Sequence, residues 1–388
     1  MRAGVETGRA PGDAGGEASG DDLLDLFVRL AGIASPTGEE RQVADEVTRY
    51  LRDAGLAVRE DDSAAVTGCG CGNLVTRIAG RGEAAPIGLC AHLDTVPMSG
   101  APNVLVADGY VRSDGATPLG ADDKAAVAVL LVLARALVAE PPAGDVEVIL
   151  TAGEEAGLLG ARALDISSLA ATSVFILDSD GAPGTLVAGA PTQKRIDAEF
   201  TGAAAHAGIA PETGRSAVVA AARAVAAMRL GRLDDETTAN VGILNGGTAA
   251  NVVAERCHLE CEARSRDQGK VAEQAEHMMH AIASAAAAAG VDVAIDVREA
   301  FRGYRHEPES PLLRIGAEAA RLAGLEPHPV EGGGGSDANV FNERGLPALT
   351  LGVGFEHAHS PKESMSVERL HQLYAMALGV VRAADSAA

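Results

Sequence analysis

The sequence predicts an α/β fold in which a mostly parallel β-sheet forms the larger domain and a smaller α+β domain is inserted. Short, apolar, almost uncharged segments at Ile87–Ala91, Val146–Leu150 and Val174–Leu177 alternate with helical patterns. Such segments are typical of strands buried on both faces of a parallel sheet. From about Thr192 the pattern changes to half-exposed strands and long helices, and the α/β texture returns near Pro311.

Helical spacing of apolar residues predicts two amphipathic helices near the start of the chain, Asp21–Gly32 and Gly38–Ala54. A third helix is predicted over Asp122–Glu140, where a run of Ala, Val and Leu begins with acidic residues that suit a helix N-terminus. A helix at Pro311–Ala323 and an apolar strand at Ala348–Gly352 complete the larger domain.

The inserted segment combines antiparallel strand patterns with helices. Arg195–Thr201 alternates as a half-exposed strand, and strand patterns recur at Asn240–Leu244 and Cys257–Arg264. Helical patterns cover Ser216–Leu230 and Gln268–Ala289.

These changes of pattern set the domain boundaries. We predict a discontinuous larger domain at residues 21–192 and 304–388 and a smaller domain at residues 193–303. Residues 1–20 contain glycine, alanine and charge without periodicity, which predicts a flexible leader.

Composition argues against several kinds of partner. The chain of 388 residues has a formal net charge of −22, whereas nucleic acids and anionic membranes are bound by basic surfaces. We recognise neither a signal peptide nor a long apolar segment, so a cytoplasmic location is predicted. The five cysteines are an odd number and predict no disulfide framework.

Imidazoles and carboxylates follow the predicted strands and begin the long helix. They are His92 and Asp94 in LCAHLD, Asp122 and Asp123 in LGADDK, Glu154 and Glu155 in ILTAGEE, Asp178 and Asp180 in FILDSD, and His357 and His359 in FEHAH. Because ligands bind outside the carboxyl ends of strands in open α/β sheets, we expect these side chains to converge.

Two histidines with three or more carboxylates suit Zn, Mn or Co. One zinc takes about four ligands, so five protein groups and a water favour two ions that share a carboxylate. In the His92-Leu93-Asp94 segment, both polar side chains can point the same way, so Asp94 can orient the imidazole. The adjacent Glu154 and Glu155 repel each other, and one can bind metal while the other accepts a proton.

The strings LCAHLDTVP, LGADDKAA, LTAGEEAGLLGA, FILDSDG and HAHSPKE resemble the M20 family of metallopeptidases in order and spacing, over about residues 22–385. The LGADDK context and the EEAGLLGA string are most similar to the peptidase T (tripeptide aminopeptidase) branch. The resemblance implies a di-zinc catalytic domain, with Co or Mn as possible substitutes for Zn. It also implies an inserted lid domain that mediates homodimer formation in many members.

The resemblance assigns roles to the motif residues. The implied metal ligands are His92, Asp122 (bridging), Glu155, Asp178 and His359. Asp94 matches the aspartate behind the first histidine, and Glu154 matches the general base. Asp180 and His357 remain alternatives to Asp178 and His359.

Three further positions resemble the family's substrate-contacting residues, and a fourth is suggested by its glycine run. His206 in AAAHAG matches a lid histidine that contacts the oxyanion, and Asn251 in GGTAANVV and Arg264 in CEARS match lid contacts. Gly335, in a run of four glycines, can bring backbone close to the substrate.

The implied activity is hydrolysis of short peptides, with Glu154 deprotonating a metal-bridging water. An M20 carboxypeptidase or an N-acyl-amino-acid amidohydrolase remains an alternative, because an aspartate after the third strand also occurs in other branches. A non-catalytic binding protein on a degenerate scaffold should lack a ligand or the base, and none is missing.

Overall fold

A computed structural model describes residues 20–386 of the chain. The predicted leader therefore lies outside the described residues, apart from Gly20, which begins the first helix. The helices of the described residues are α1 Gly20–Ala31, α2 Arg41–Asp53, α3 Ala64–Thr67, α4 Ala121–Ala139, α5 Leu159–Ala163, α6 Ala217–Ala227, α7 Gln268–Ala289, α8 Pro311–Leu322, α9 Asp337–Glu343 and α10 Val367–Ser386. None of these helices combines the length and the apolar character that a membrane span requires.

The strands form three sheets. They are β1 Val58–Glu60, β2 Leu74–Ile78, β3 Ile87–His92, β4 Val104–Ala107, β5 Tyr110–Ser113, β6 Val146–Thr151, β7 Val174–Leu177, β8 Thr185–Ala190, β9 Thr192–Thr201, β10 Gly231–Arg232, β11 Thr237–Gly246, β12 Arg256–Ser265, β13 Asp292–Phe301, β14 Tyr304–Arg305, β15 His328–Glu331, β16 Ala348–Leu351, β17 Phe355–Glu356 and β18 Ser364–Ser366.

The largest sheet has the strand order β1-β2-β6-β3-β7-β16-β8-β14, with β15 pairing on β8. Its centre, β6-β3-β7-β16, is parallel, and its flanks carry antiparallel pairs. Alternate residues of the central strands enter different cores. Leu89 packs in the core that α1, α4 and α10 contribute to, whereas the adjacent Cys90 packs with residues of α5 and α9. Burial on both faces explains why these strands are uninterrupted apolar runs.

The second sheet, β10-β11-β12-β9-β13, is antiparallel throughout. One face packs against α6 and α7 in a separate core that includes Phe200, Leu259 and Met278. All of its strands lie between Thr192 and Phe301, close to the predicted limits of the smaller domain. The exact boundaries of 193–303 remain a prediction. A small third sheet, β17-β18-β5-β4, lies within the larger domain's sequence.

Helix α4 is buried over most of its length because α1, α2 and α10 contact it from outside and β3 from the sheet side. Because α4 is enclosed by these elements, its sequence is apolar on all faces. The helix predicted over Asp122–Glu140 corresponds to α4, but its first turn is irregular. Asp122 and Asp123 have non-helical backbone angles, and the peptide bond between them is cis.

Several segments follow the sequence-based expectations closely, among them β7 and α7, whose bounds match those predicted. Helix α2 begins at Arg41 rather than Gly38, because Gly38 has a φ of 95° and lies outside the helical region. Strand β13 and helix α10 were not predicted as individual elements.

The buried position of α4 predicts a large effect of cavity formation. Leu130 is 0% exposed and belongs to the main core, so Leu130→Ala should lower the free energy of unfolding by about 2–5 kcal/mol. Val138→Ala in the same helix is the matched control, since its side chain is 41% exposed and its effect should stay within about 0.5 kcal/mol. Urea unfolding followed by circular dichroism measures both. Equal effects would contradict the packing described for α4.

Candidate metal centre and active site

The four central parallel strands deliver polar side chains to one edge of the sheet. His92 is the last residue of β3, Glu154 and Glu155 follow β6, and Asp178 follows β7. His359 lies in the segment after β16. The structure therefore brings together residues that are up to 267 positions apart (359 − 92).

The carboxylate of Asp122 lies between two imidazoles. Its Oδ1 is 3.3 Å from Nε2 of His92, and its Oδ2 is 3.0 Å from Nε2 of His359. Burial opposes ionisation, but the hydrogen bonds with His359 and His92 outweigh it and lower the pKa of Asp122 to about 2. Each oxygen of one carboxylate thus faces a different histidine, which is the arrangement expected of a bridging ligand.

Two groups of three potential ligands share Asp122. The first is His92, Asp122 and Asp178, and the second is Asp122, Glu155 and His359; within each group the ligand atoms lie within 4.8 Å of one another. Oδ1 of Asp178 is 3.9 Å from Nε2 of His92. The five predicted ligands therefore meet in two sets, each with one imidazole and two carboxylates, and this donor set suits two divalent ions.

The alternatives considered from the sequence lie outside both groups. Asp180 is exposed, whereas Asp178 is largely buried beside His92. His357 and His359 are both exposed, and it is Nε2 of His359 that lies 3.0 Å from Oδ2 of Asp122. His359 has a φ of 62°, a left-handed conformation that a non-glycine residue adopts at some energetic cost. Backbone strain of this kind is common where a side chain must reach a functional site.

Glu363 holds the turn that carries Asp122, and sequence reasoning did not assign it a role. Its Oε2 accepts a hydrogen bond of 2.8 Å from the backbone N–H of Gly120, and its Oε1 accepts one of 2.9 Å from that of Asp122. Glu363 is 1% exposed. The sequence hinted at Glu363 only through its place in the HSPKE string, which begins with His359. Its contact with Asp122 spans 241 positions and leaves no local pattern.

Asp94 contacts His92 with its backbone and its carboxylate at different distances. Nδ1 of His92 is 2.9 Å from the backbone oxygen of Asp94 but 3.5 Å from its Oδ1. The carboxylate instead accepts hydrogen bonds from the backbone N–H groups of Glu154, at 2.9 Å, and Glu155, at 3.2 Å. Thr37 donates to it at 2.6 Å. Asp94 therefore fixes the loop of the two glutamates, and its backbone orients the imidazole.

Glu154 has the surroundings of a general base. Burial and, after it, the nearby Asp178 carboxylate raise the pKa of Glu154 well above its usual range. A carboxylate with a raised pKa binds a proton more tightly, which suits a group that accepts and then returns a proton.

The cluster carries more negative charge than its own cations compensate. Burial raises the pKa of Asp178 and of Asp123 well above the usual range. Oε1 of Glu155 is buried 2.9 Å from Nε2 of His359, and Oδ2 of Asp122 is 3.0 Å from the same nitrogen, so two carboxylates share one imidazole nitrogen. Buried carboxylate oxygens with too few donors are costly, and divalent cations relieve that cost. The residues present therefore fit a pair of metal ions.

A cavity of about 430 Å³ opens beside this cluster and is lined by both domains. Two of the predicted substrate contacts, Arg264 and Gly335, line it. A Cβ on Gly335 would meet the ring of Phe301, so a larger residue here would have to displace that ring. His206 and Asn251 do not line the cavity; both are exposed on the smaller domain, beside each other, with the N–H of Ala207 donating to the backbone oxygen of Asn251. The contact of His206 with a substrate remains a prediction.

Known proteins resemble this chain over nearly its whole length. An uncharacterized protein of Bacillus subtilis, YqjE, is 38% identical over 93% of this chain and 98% of its own. The aminopeptidase PepT of Bacillus cereus superposes with a TM-score of 0.83 and 37% identity, covering 94% of this chain and 99% of that one. A tripeptidase of Staphylococcus aureus gives a TM-score of 0.88 and 35% identity, covering 95% and 99%. The family model for peptidase family M20/M25/M40 matches residues 88–383, and the chain belongs to this family.

Proposed function

We propose that this protein is a metal-dependent aminopeptidase that hydrolyses short peptides, tripeptides in particular. The observation that carries the proposal is the Asp122 carboxylate shared between two His-containing ligand groups, with the proton acceptor Glu154 beside them. The choice of substrate is supported by likeness to the aminopeptidase PepT and to the tripeptidase. The homodimer, the cytoplasmic location and the identity of the metal remain predictions.

His92, Asp122 and Asp178 would hold one ion, and Asp122, Glu155 and His359 the other. When bound, two divalent ions supply Lewis-acid polarisation of the scissile carbonyl and acidify a water molecule. The protein's own contribution begins with orientation. The backbone of Asp94 directs the His92 ring, and Glu363 fixes the backbone of Asp122.

Glu154 moves the proton in this proposal. Its carboxylate takes a proton from the attacking water and returns it to the leaving amine. The Asp94 carboxylate keeps Glu154 in place by accepting its backbone N–H. The loop Gly332–Gly335 and Arg264 line the cavity and would position the peptide.

The proposed activity predicts metal-dependent cleavage of unblocked tripeptides. Purified protein should release the N-terminal residue of trialanine, lose activity with a chelator and regain it when zinc, cobalt or manganese is returned, because the ions polarise the scissile carbonyl. Mass spectrometry of the products identifies the bond that is cleaved. N-Acetylalanine and N-acetyltrialanine are the comparison substrates. If only the acylated compounds are cleaved, the protein is an amidohydrolase and the proposed aminopeptidase activity is wrong.

Glu154→Gln should reduce kcat by about 10²- to 10⁴-fold, because the amide cannot accept the proton. The variant should keep its bound metal, since Glu154 belongs to neither ligand group. Steady-state kinetics and elemental analysis of the same preparation separate these effects. Glu140→Gln, an exposed position after α4, is the control. Full activity of Glu154→Gln would rule out this base.

The two aspartates after β7 should differ in metal binding. Asp178→Asn should lower the content from about two ions per chain to about one, because it weakens one three-ligand group. Asp180→Asn should keep both ions, because Asp180 lies outside both groups. Inductively coupled plasma mass spectrometry after dialysis measures the content. The opposite result would assign the ligand to Asp180.

A further inference from the structure

The two domains contribute charges of opposite sign to the cavity. The larger domain contributes carboxylates, including Glu154, Asp178 and Asp180, whereas the smaller domain contributes Arg195 and Arg264. A free peptide carries an ammonium at one end and a carboxylate at the other. The carboxylate of such a substrate is therefore attracted to the arginines of the smaller domain.

Arg264 already has a carboxylate partner. Its Nε and Nη2 donate hydrogen bonds of 3.0 and 3.1 Å to the two side-chain oxygens of Glu262. Nε2 of Gln193 donates to the same carboxylate. The charge of Arg264 is thus compensated, and two of its donors are occupied.

Arg195 lies next to this pair but has no partner in the described part of the chain. In the strand register it is directly opposite Glu262 on β12 and Arg298 on β13, and Arg298 pairs with Asp197 at 3.4 Å. Within residues 20–386, the guanidinium of Arg195 makes neither an ion pair nor a hydrogen bond, and its exposed side chain lines the cavity. All five of its N–H donors are available to a ligand.

We propose that Arg195 binds the C-terminal carboxylate of the peptide and so determines specificity for substrates with a free C-terminus. This inference rests on the proposed peptidase function. The planar guanidinium can bind a carboxylate through two parallel hydrogen bonds. The volume of the cavity, about 430 Å³, is in the range of sites for small ligands. The peptide would then lie with its carboxylate at the smaller domain and its scissile bond at the metal cluster.

The test combines an enzyme variant with a substrate variant. The unmodified protein should cleave trialanine with a kcat/KM about 10- to 100-fold higher than trialanine amide, because the amide cannot form the charge-assisted contact. Arg195→Gln should abolish this preference by lowering kcat/KM for the free acid while leaving the amide unchanged. Arg298→Gln is the matched control, since Arg298 lies on the adjacent strand and does not line the cavity; it should retain the preference.

Three results would overturn the assignment. In the first, Arg195→Gln slows both substrates by the same factor; in the second, it retains the preference for the free acid. In the third, Arg195→Gln lowers kcat/KM for alanyl-alanyl-glutamate amide as much as it does for trialanine, which would assign the contact to an acidic side chain.

If no peptide is cleaved, the proposed function fails separately. The affinities for the acid and the amide are then compared by titration calorimetry of metal-loaded Glu154→Gln protein. Equal affinity for acid and amide, or no binding of either, then rejects the role of Arg195.

Discussion

The arrangement of the site depends on one carboxylate, that of Asp122, which faces His92 with one oxygen and His359 with the other. The two imidazoles are far apart in the sequence, and Asp122 contacts both. The backbone N–H of Asp122 donates a hydrogen bond to Glu363, and the backbone angles of Asp122 lie outside the regular helix. The site thus coincides with the irregular start of α4.

The sheet edge and helix α4 hold Asp122 and its neighbours in this arrangement. Strands β6, β3, β7 and β16 are neighbours in the parallel centre of the sheet, so their carboxyl ends form a continuous edge. Helix α4 is buried against this sheet and anchors the Asp122 turn in the main core. Several carboxylates in a partly buried cluster repel one another, and the free energy of packing must hold them together when cations are absent.

The smaller domain lies beside the cavity and contributes none of the clustered carboxylates and imidazoles. Its core is separate from that of the larger domain, and only one end of its sheet, near Gln193 and Arg264, reaches the cavity. The larger domain thus holds the residues suited to metal and proton chemistry, whereas the smaller domain supplies cationic and polar groups that can select a substrate. Changes in the smaller domain can alter selectivity without disturbing the metal ligands.

The sequence by itself determined the class of fold and the candidate residues of the cluster, with two choices left open, between Asp178 and Asp180 and between His357 and His359. Local periodicity fixes where a strand such as Val174–Leu177 ends, and the strand end fixes which side chains reach the sheet edge. Only the tertiary structure shows that Asp178 lies beside His92 whereas Asp180 is exposed, although they are two positions apart. It also shows that the Asp94 carboxylate accepts hydrogen bonds from the glutamate loop, that Glu363 supports Asp122, and that Arg195 has no partner among the described residues. These facts depend on contacts between distant segments, and local sequence patterns carry no information about such pairings.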